Sequence, residues 1–441
     1  RMSIPALPQP VSPLYWRFTR TEFSFYLLMP AQPLALQGGP KTVTATLPEH
    51  HRWGREELAR LTAMVDQPSL FYSKGPQCGA LLEEFRKTYP LRWAFPTSSG
   101  TAALHVAVAA LQLPPGSEII TSPITDMGSV IGILYQQLVP TFADIDPHTY
   151  NLDPAAVRRA ITPKTRAIMA VHLAGAPSDN AALAALAREH NLILIEDCAQ
   201  SWGAQFRGQP VGLAGHIACY SFNEFKHVSC GDGGIVATND ERFGPTLAKW
   251  GDKFYDRNPT ADARNPATLA PNYRMSEPQA AVAAAQLGKL PAIVAAHIRV
   301  GSRLLARLRA ASLPGVALPV IDPRDTHTFW FCLLRLVPAA FRASRDEICA
   351  ALVAEGATAS PGYIPQPVYR YPVFRNHNFF AGSWPVREAG LTTVDYRQVS
   401  CPVAEAILAD SICLRIHPAM TDEHVDQTAD AFAKVVRHYA A

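Results

Sequence analysis

From about residue 90 the chain alternates short β-rich runs with helical stretches, and no other feature constrains its fold as much. "RWAFPTSSG" ends an apolar run and opens the Ala/Leu-rich helix "TAALHVAVAALQL". The runs "SEIITSP", "VPTFADID", "TRAIMAVHL" and "NLILIED" follow, mostly separated by helical segments such as "DNAALAALAREH". Parallel strands need long crossover connections, which helices supply. The pattern therefore predicts an α/β fold with a largely parallel sheet covered by helices on both faces. "HIACYSF" and "GGIVATND" come close together, a helix runs through "MSEPQAAVAAAQLGKL", and a longer one runs through "AIVAAHIRVGSRLLARLRAA". Pro314 and Gly315 then mark the expected boundary between a large domain, 29–313, and a smaller C-terminal α+β domain, 314–441. The smaller domain opens with the strand "TFWFCLLRLV" and the helix "SRDEICAALVAEG", and ends in the helix "DEHVDQTADAFAKVVRHYA".

A chain of 441 residues exceeds one compact core, and 48% hydrophobic against 17% charged residues describes a folded globular protein. Forty basic residues stand against thirty-seven acidic ones with no basic run, so neither nucleic acid nor an anionic membrane is an expected partner. No apolar stretch is long enough to span a bilayer. A small molecule is the expected partner. The eight cysteines form no C-x-x-C pair and have no histidine at ligand spacing, so no metal site is expected. They read as small core residues of a reducing, cytoplasmic compartment. Residues 1–28, rich in Pro and aromatics, are expected to be an added or upstream-translated extension, with Met29 a candidate start.

Three short signals carry chemistry. Ser98-Ser99-Gly100-Thr101 lies where a strand ends and a helix begins, so unpaired N–H groups and the helix dipole favour an anion there. The same residues would also serve as a plain helix cap. Glu196 and Asp197 end the apolar strand "LILIED", and a carboxylate at that edge of a parallel sheet faces the ligand crevice or caps a helix. Lys226, in "SFNEFKHVSCGDGG", is either a solvated lysine or a desolvated, nucleophilic amine. An anion cup, a carboxylate and a lysine in this order describe a pyridoxal 5′-phosphate (PLP) site: phosphate, pyridine nitrogen and Schiff-base lysine.

"SSGTAALHVAVAAL", "FADIDPHTYNLDP", "VHLAGAPSD", "IEDCAQSWGA", "SFNEFKHVSCGDGGIVATND" and "NYRMSEPQAAVAAAQLGKL" resemble, in kind and order, the DegT/StrS sugar aminotransferases among fold-type I PLP enzymes. The likeness runs from "LALQGGPKTV" to "ADAFAKVV", nearly the whole chain after the extension. It implies a mostly parallel seven-stranded sheet in the large domain and transfer of an amino group from glutamate or glutamine to a keto-sugar or keto-cyclitol. It makes Lys226 the Schiff-base lysine, pairs Asp197 with the pyridine nitrogen and sets Gln200 near the ring's 3-hydroxyl. Gly100, Thr101 and Ser221 bind the phosphate, and Asn272 reaches the phosphate of a neighbouring subunit's cofactor, which implies a homodimer with shared active sites. His172, His327 and the segment "GYIPQPVY" fall where the family builds its substrate pocket, and Arg274 is a candidate clamp for the donor's carboxylate. Asp126 departs from the pattern, because the family places an aromatic residue there to stack on the pyridine ring, and a carboxylate has no such face. Asp126 is instead expected to hydrogen-bond a substrate or an amine, or Met127 to cover the ring. Relatives in which histidine replaces the lysine act as dehydratases, and Lys226 excludes that reading. A PLP-binding sensor without turnover is the alternative. A nucleotide-binding dehydrogenase is set aside because G-x-G-x-x-G is missing after a first strand.

Overall fold

The computed structural model describes residues 33–257 and 265–441, so the expected extension 1–28 and Met29 lie outside the described residues. Seven strands form the large sheet: β1 (Trp93–Thr97), β2 (Glu118–Thr121), β3 (Val139–Phe142), β4 (Thr165–Val171), β5 (Ile193–Asp197), β6 (Ile217–Ser221) and β7 (Gly234–Thr238). Their order is β1-β7-β6-β5-β4-β2-β3. Every neighbouring pair is parallel except those of β7, which runs antiparallel to both β1 and β6. Residues 222–233 between β6 and β7 hold no helix, so the chain has no crossover and returns alongside itself.

The apolar runs are continuous because both sheet faces are covered. Ile119, Met169 and Ile195 point into one core with helix α1 (Gly100–Ala110), while the adjacent Ile120, Ile168 and Leu194 point into another with Leu183 and Leu186. Two-residue periodicity thus sorts neighbouring side chains onto opposite faces. Helix α2 (Gly128–Tyr135) packs on α1.

A second, antiparallel sheet is built from β8 (Val316–Ala317), β9 (Phe331–Leu336), β10 (Ala359–Pro361) and β11 (Ser411–Arg415), ordered β8-β9-β11-β10. Helix α3 (Glu277–Gly288) leads into α4 (Leu290–Ala311), and the chain ends in α5 (Asp422–Tyr439). Val300, Leu304 and Leu308 of α4 share a core with Leu334, Leu414 and Phe432. A ladder of ion pairs, Arg299–Asp422, Arg303–Asp426 and Arg307–Asp430, at 2.5, 2.7 and 2.8 Å, lines the seam between α4 and α5.

Leu34 and Val43 join the same core. They are pinned by the buried Glu355, which accepts from the Ala35 N–H at 2.8 Å and the Thr42 N–H at 3.0 Å and pairs with Lys434 at 2.9 Å. The irregular segment from 33 to 54 therefore starts against the core of the antiparallel sheet and ends where helix Arg55–Val65 packs on α3. Among the described residues no single helix is long and apolar enough to cross a membrane.

Candidate active site

Adjacent carboxylates at the end of β5 go to opposite sides of the sheet, and this separates their roles. Glu196 is fully buried and saturated: it accepts from the Gly212 and Ala214 N–H groups at 2.8 and 2.9 Å, from Asn180 at 3.1 Å, and sits 3.0 Å from His172 Nε2. Asp197 faces the other way. It accepts from the Ser129 hydroxyl at 2.7 Å and the Ala199 N–H at 3.1 Å, and no cation touches it. Burial pushes its carboxyl above the usual range, while Ser129, Ala199 and the charge of Lys226 pull it back. A buried carboxylate of this kind calls for a cation.

Lys226 supplies the amine. It lies in the helix-free turn after β6, half-buried, with Nζ 3.8 Å from the centre of the Trp330 ring. Trp330 Nε1 donates to the Phe225 carbonyl at 2.5 Å and so ties the turn to the smaller body. Desolvation lowers the lysine's pKa to about 8, against the opposing pull of Asp197 and Asp126. A substantial neutral fraction at physiological pH makes this amine nucleophilic.

The anion cup lies at the start of α1. Ser99 takes the capping role, its hydroxyl accepting from the Ala102 N–H at 3.0 Å, which leaves the N–H groups of Gly100 and Thr101 in the unpaired first turn. Gly100 lies against Ser221, where an added Cβ would come within 2.6 Å of the serine Cβ and 2.8 Å of its Oγ. An added Cβ at Gly128 would meet Thr101 Oγ1 at 2.6 Å and Asp126 Oδ1 at 3.1 Å. The cup, Ser221, Thr101 and Asp126 are therefore neighbours with no room for extra side-chain bulk. Gln200 accepts from the Ala174 N–H at 3.0 Å and donates to the Tyr363 hydroxyl at 3.2 Å, so it is fixed beside the same site.

A cavity of about 830 Å³ opens over Lys226, walled by Asp126, Trp330, Phe331 and Tyr363 among others. Tyr363 belongs to "GYIPQPVY", so that segment does reach the cavity. Asp126 is exposed to it, with one oxygen accepting from the Gly128 N–H at 2.8 Å at the start of α2. Met127 packs instead beside Ile124 and Val130.

Three expected pocket residues lie elsewhere. His172 is fully buried, with one ring nitrogen on Glu196 and the other accepting from the Ser178 N–H at 3.0 Å, so it has no atom left for a substrate. The structure thus places His172 behind β5, with both ring nitrogens engaged within the protein. His327 is buried on a separate hollow beside Thr149, Ala176 and Val320, its Nδ1 accepting from the Phe329 N–H at 3.0 Å. Burial lowers its pKa to about 3, which keeps it neutral. Arg274 pairs with Asp252 at 2.6 Å and lines another hollow with Lys74, Lys253 and Arg257. Asn272, two residues before it, is exposed and away from the Lys226 cavity.

Sequence reasoning missed Ser129, Trp330, and the bases His50, Arg52, Arg415 and His417 in the cavity wall. No local signal marks them, since each is carried in by an element distant in sequence.

The chain is similar to known proteins over most of its length. A protein of Micromonospora echinospora, provisionally named as an L-glutamine:3-amino-2,3-dideoxy-scyllo-inosose aminotransferase, is 32% identical over 416 residues, covering 92% of this chain and 97% of that one. GDP-perosamine synthase of Caulobacter vibrioides is 32% identical over 366 residues, covering 81% of this chain and 91% of that one. The crystal structure of an aminotransferase from Psychrobacter cryohalolentis superposes with a TM-score of 0.78 at 27% identity, covering 90% of this chain and 99% of that one. Residues 52–433 match the DegT/DnrJ/EryC1/StrS aminotransferase family, and the chain belongs to it.

Proposed function

We propose that the protein is a PLP-dependent aminotransferase that moves an amino group from glutamate or glutamine to a keto-sugar or keto-cyclitol. The observation that carries this reading is the placement of three groups around one space: the desolvated amine of Lys226, the buried and cation-free carboxylate of Asp197, and the open first turn of α1 against Ser221. The acceptor class follows from the names of the Micromonospora and Caulobacter relatives, one for a keto-cyclitol and the other for a nucleotide-linked amino sugar.

In this reading Gly100, Thr101 and Ser221 would bind the cofactor's phosphate, and Asp197 would hold a proton on its pyridine nitrogen. When bound, such a cofactor would supply an aldehyde carbon to carry the amino group between donor and acceptor and a ring to serve as electron sink. Lys226 Nζ would anchor the cofactor through its aldehyde carbon. With that anchor released, its free amine would serve as the base and acid that moves the donor's α-proton. Ser129 and the Ala199 N–H keep the Asp197 carboxylate oriented. Gln200, fixed by Ala174 and Tyr363, would meet the ring's 3-hydroxyl. Asp126 stands on the cavity side where the family has an aromatic ring, and it can hydrogen-bond a substrate there.

A homodimer with shared sites belongs to the same reading: the exposed Asn272 and the basic hollow of Lys74, Lys253, Arg257 and Arg274 suit a phosphate held by a second subunit. The domain division at 314 and a cytoplasmic location are also proposed. The eight free cysteines, seven of them buried, support a reducing compartment.

The test is the visible spectrum of the protein with PLP, before and after adding glutamate or glutamine. A lysine-dependent band that bleaches with either donor supports the reading. A band indifferent to both favours a sensor without turnover, and no band removes Lys226 from its role.

A further inference from the structure

The cavity over Lys226 has a lopsided charge. Its lining holds two carboxylates, Asp126 and Glu224, and a group of bases drawn from both ends of the chain: His50, His51, Arg52, Arg415 and His417. His50 and His417 meet edge to face with ring centroids 5.0 Å apart. Arg52 donates to the Lys226 carbonyl at 2.9 Å and to the Glu224 carbonyl, which fixes its guanidinium beside the lysine.

Arg415 is different. It ends β11, it is exposed to the cavity, and among the described residues its guanidinium has no hydrogen bond and no ion pair. Burial, and then repulsion from His50, Arg52 and Arg415, holds His417 below its ordinary pKa. Burial, followed by Arg52 and His51, does the same to His50. Gathering like charges around a partly enclosed space costs energy unless an anion enters it, and such a space concentrates anions from solution.

We propose that Arg52, Arg415, His50 and His417 form an oxyanion subsite for the carboxylate or phosphoryl group of a substrate whose reacting atom lies at Lys226. Arg415 contributes the free fork, and planar guanidinium groups pair with such oxyanions through two parallel hydrogen bonds. Two substrates of the proposed reaction carry a group of this kind: the amino donor has its carboxylates, and a nucleotide-linked acceptor has its diphosphate. Arg274, the candidate clamp from sequence, is already committed to Asp252 in a different hollow. The nature of the ligand rests on the aminotransferase reading; the charge of the subsite does not.

The experiment is calorimetric titration of the full chain, with and without PLP, using glutarate in one series and inorganic pyrophosphate in the other. Wild type is compared with Arg415→Gln and Arg415→Lys. Loss of a charge-assisted pair weakens binding by about tenfold or more in Arg415→Gln, with partial recovery in Arg415→Lys. Weakening of glutarate alone assigns the subsite to the donor's carboxylate, and weakening of pyrophosphate alone assigns it to a phosphoryl-bearing acceptor. Equal binding by wild type and Arg415→Gln, or no binding of either anion to wild type, overturns the proposal. Failure to take up PLP would strike the aminotransferase reading, yet an Arg415-dependent titration of the cofactor-free chain would leave the subsite standing.

Discussion

The lowered pKa of Lys226 can be measured without any cofactor. At a pKa of about 8, roughly one amine in eleven is neutral at pH 7. At the ordinary value of 10.5 the fraction is roughly one in three thousand, so the cavity raises the reactive fraction by about 300-fold. The assay is competitive acetylation of the cofactor-free protein between pH 6 and 11, with each lysine-containing peptide quantified by mass spectrometry. The Lys226 peptide should titrate with a midpoint near 8. Asp197 and Asp126 both raise this pKa, so Asp126→Asn and Asp197→Asn should each move the midpoint down. The same shift has a stability consequence whose sign follows from proton counts. Between pH 8 and 10.5 the unfolded chain holds the lysine's proton and the folded chain has released it. Stability therefore rises with pH across that window, and Lys226→Met should lose the rise. A midpoint near 10.5, or an upward move in Asp126→Asn, would refute the argument that burial controls this amine and that the carboxylates oppose it.

Three further substitutions test the rest of the site. Asp197→Asn should retain PLP but slow the donor half-reaction by about a hundredfold or more, read by stopped-flow absorbance; a near-normal rate would show that Asp197 does not hold the ring proton. Ser129→Ala removes a 2.7 Å hydrogen bond to a buried carboxylate and should cost about 1.5–3 kcal/mol in urea unfolding of the cofactor-free chain at pH 7. Because burial raises the Asp197 carboxyl, that deficit should shrink as acid protonates it; a deficit constant with pH would exclude a charge-assisted bond. Gly100→Ala forces a Cβ within 2.6 Å of the Ser221 Cβ, and relief of that overlap costs about 1–3 kcal/mol. Equilibrium dialysis should show weaker PLP retention, and unchanged retention would place the phosphate elsewhere.

The sequence pattern that survives into three dimensions is the local one. Alternating β-rich and helical runs are enough to expect the parallel sheet, and the helix-free stretch after "HIACYSF" accounts for its antiparallel pair. Asp197 is legible because it ends a strand whose apolar run is visible in the chain, and Lys226 because it follows such a strand in a glycine-rich turn. The two-residue period even separates Asp197 from Glu196, although only the hydrogen bonds show which one is saturated. His172 illustrates the limit: a histidine at a strand end reads alike whether it faces a substrate or a buried glutamate. Arg415, Trp330 and His50 were not legible at all, because chain topology rather than neighbouring residues brings them to Lys226.

The segment pinned by Glu355 orders events during synthesis. It leaves the ribosome early, yet its partners come 313 residues after Thr42 at Glu355, 383 after Thr44 at Gln427 and 394 after Pro40 at Lys434. Contacts this distant cannot close until Glu355, Gln427 and Lys434 have been made. Lys226 is made much earlier, before Trp330, Tyr363 and Arg415, which later wall it in. Without those walls it has the ordinary pKa of a solvated lysine, and its neutral fraction is about 300-fold smaller. Drying of the amine therefore waits on residues made a hundred or more positions after it, and the reactive lysine appears only once they fold over it.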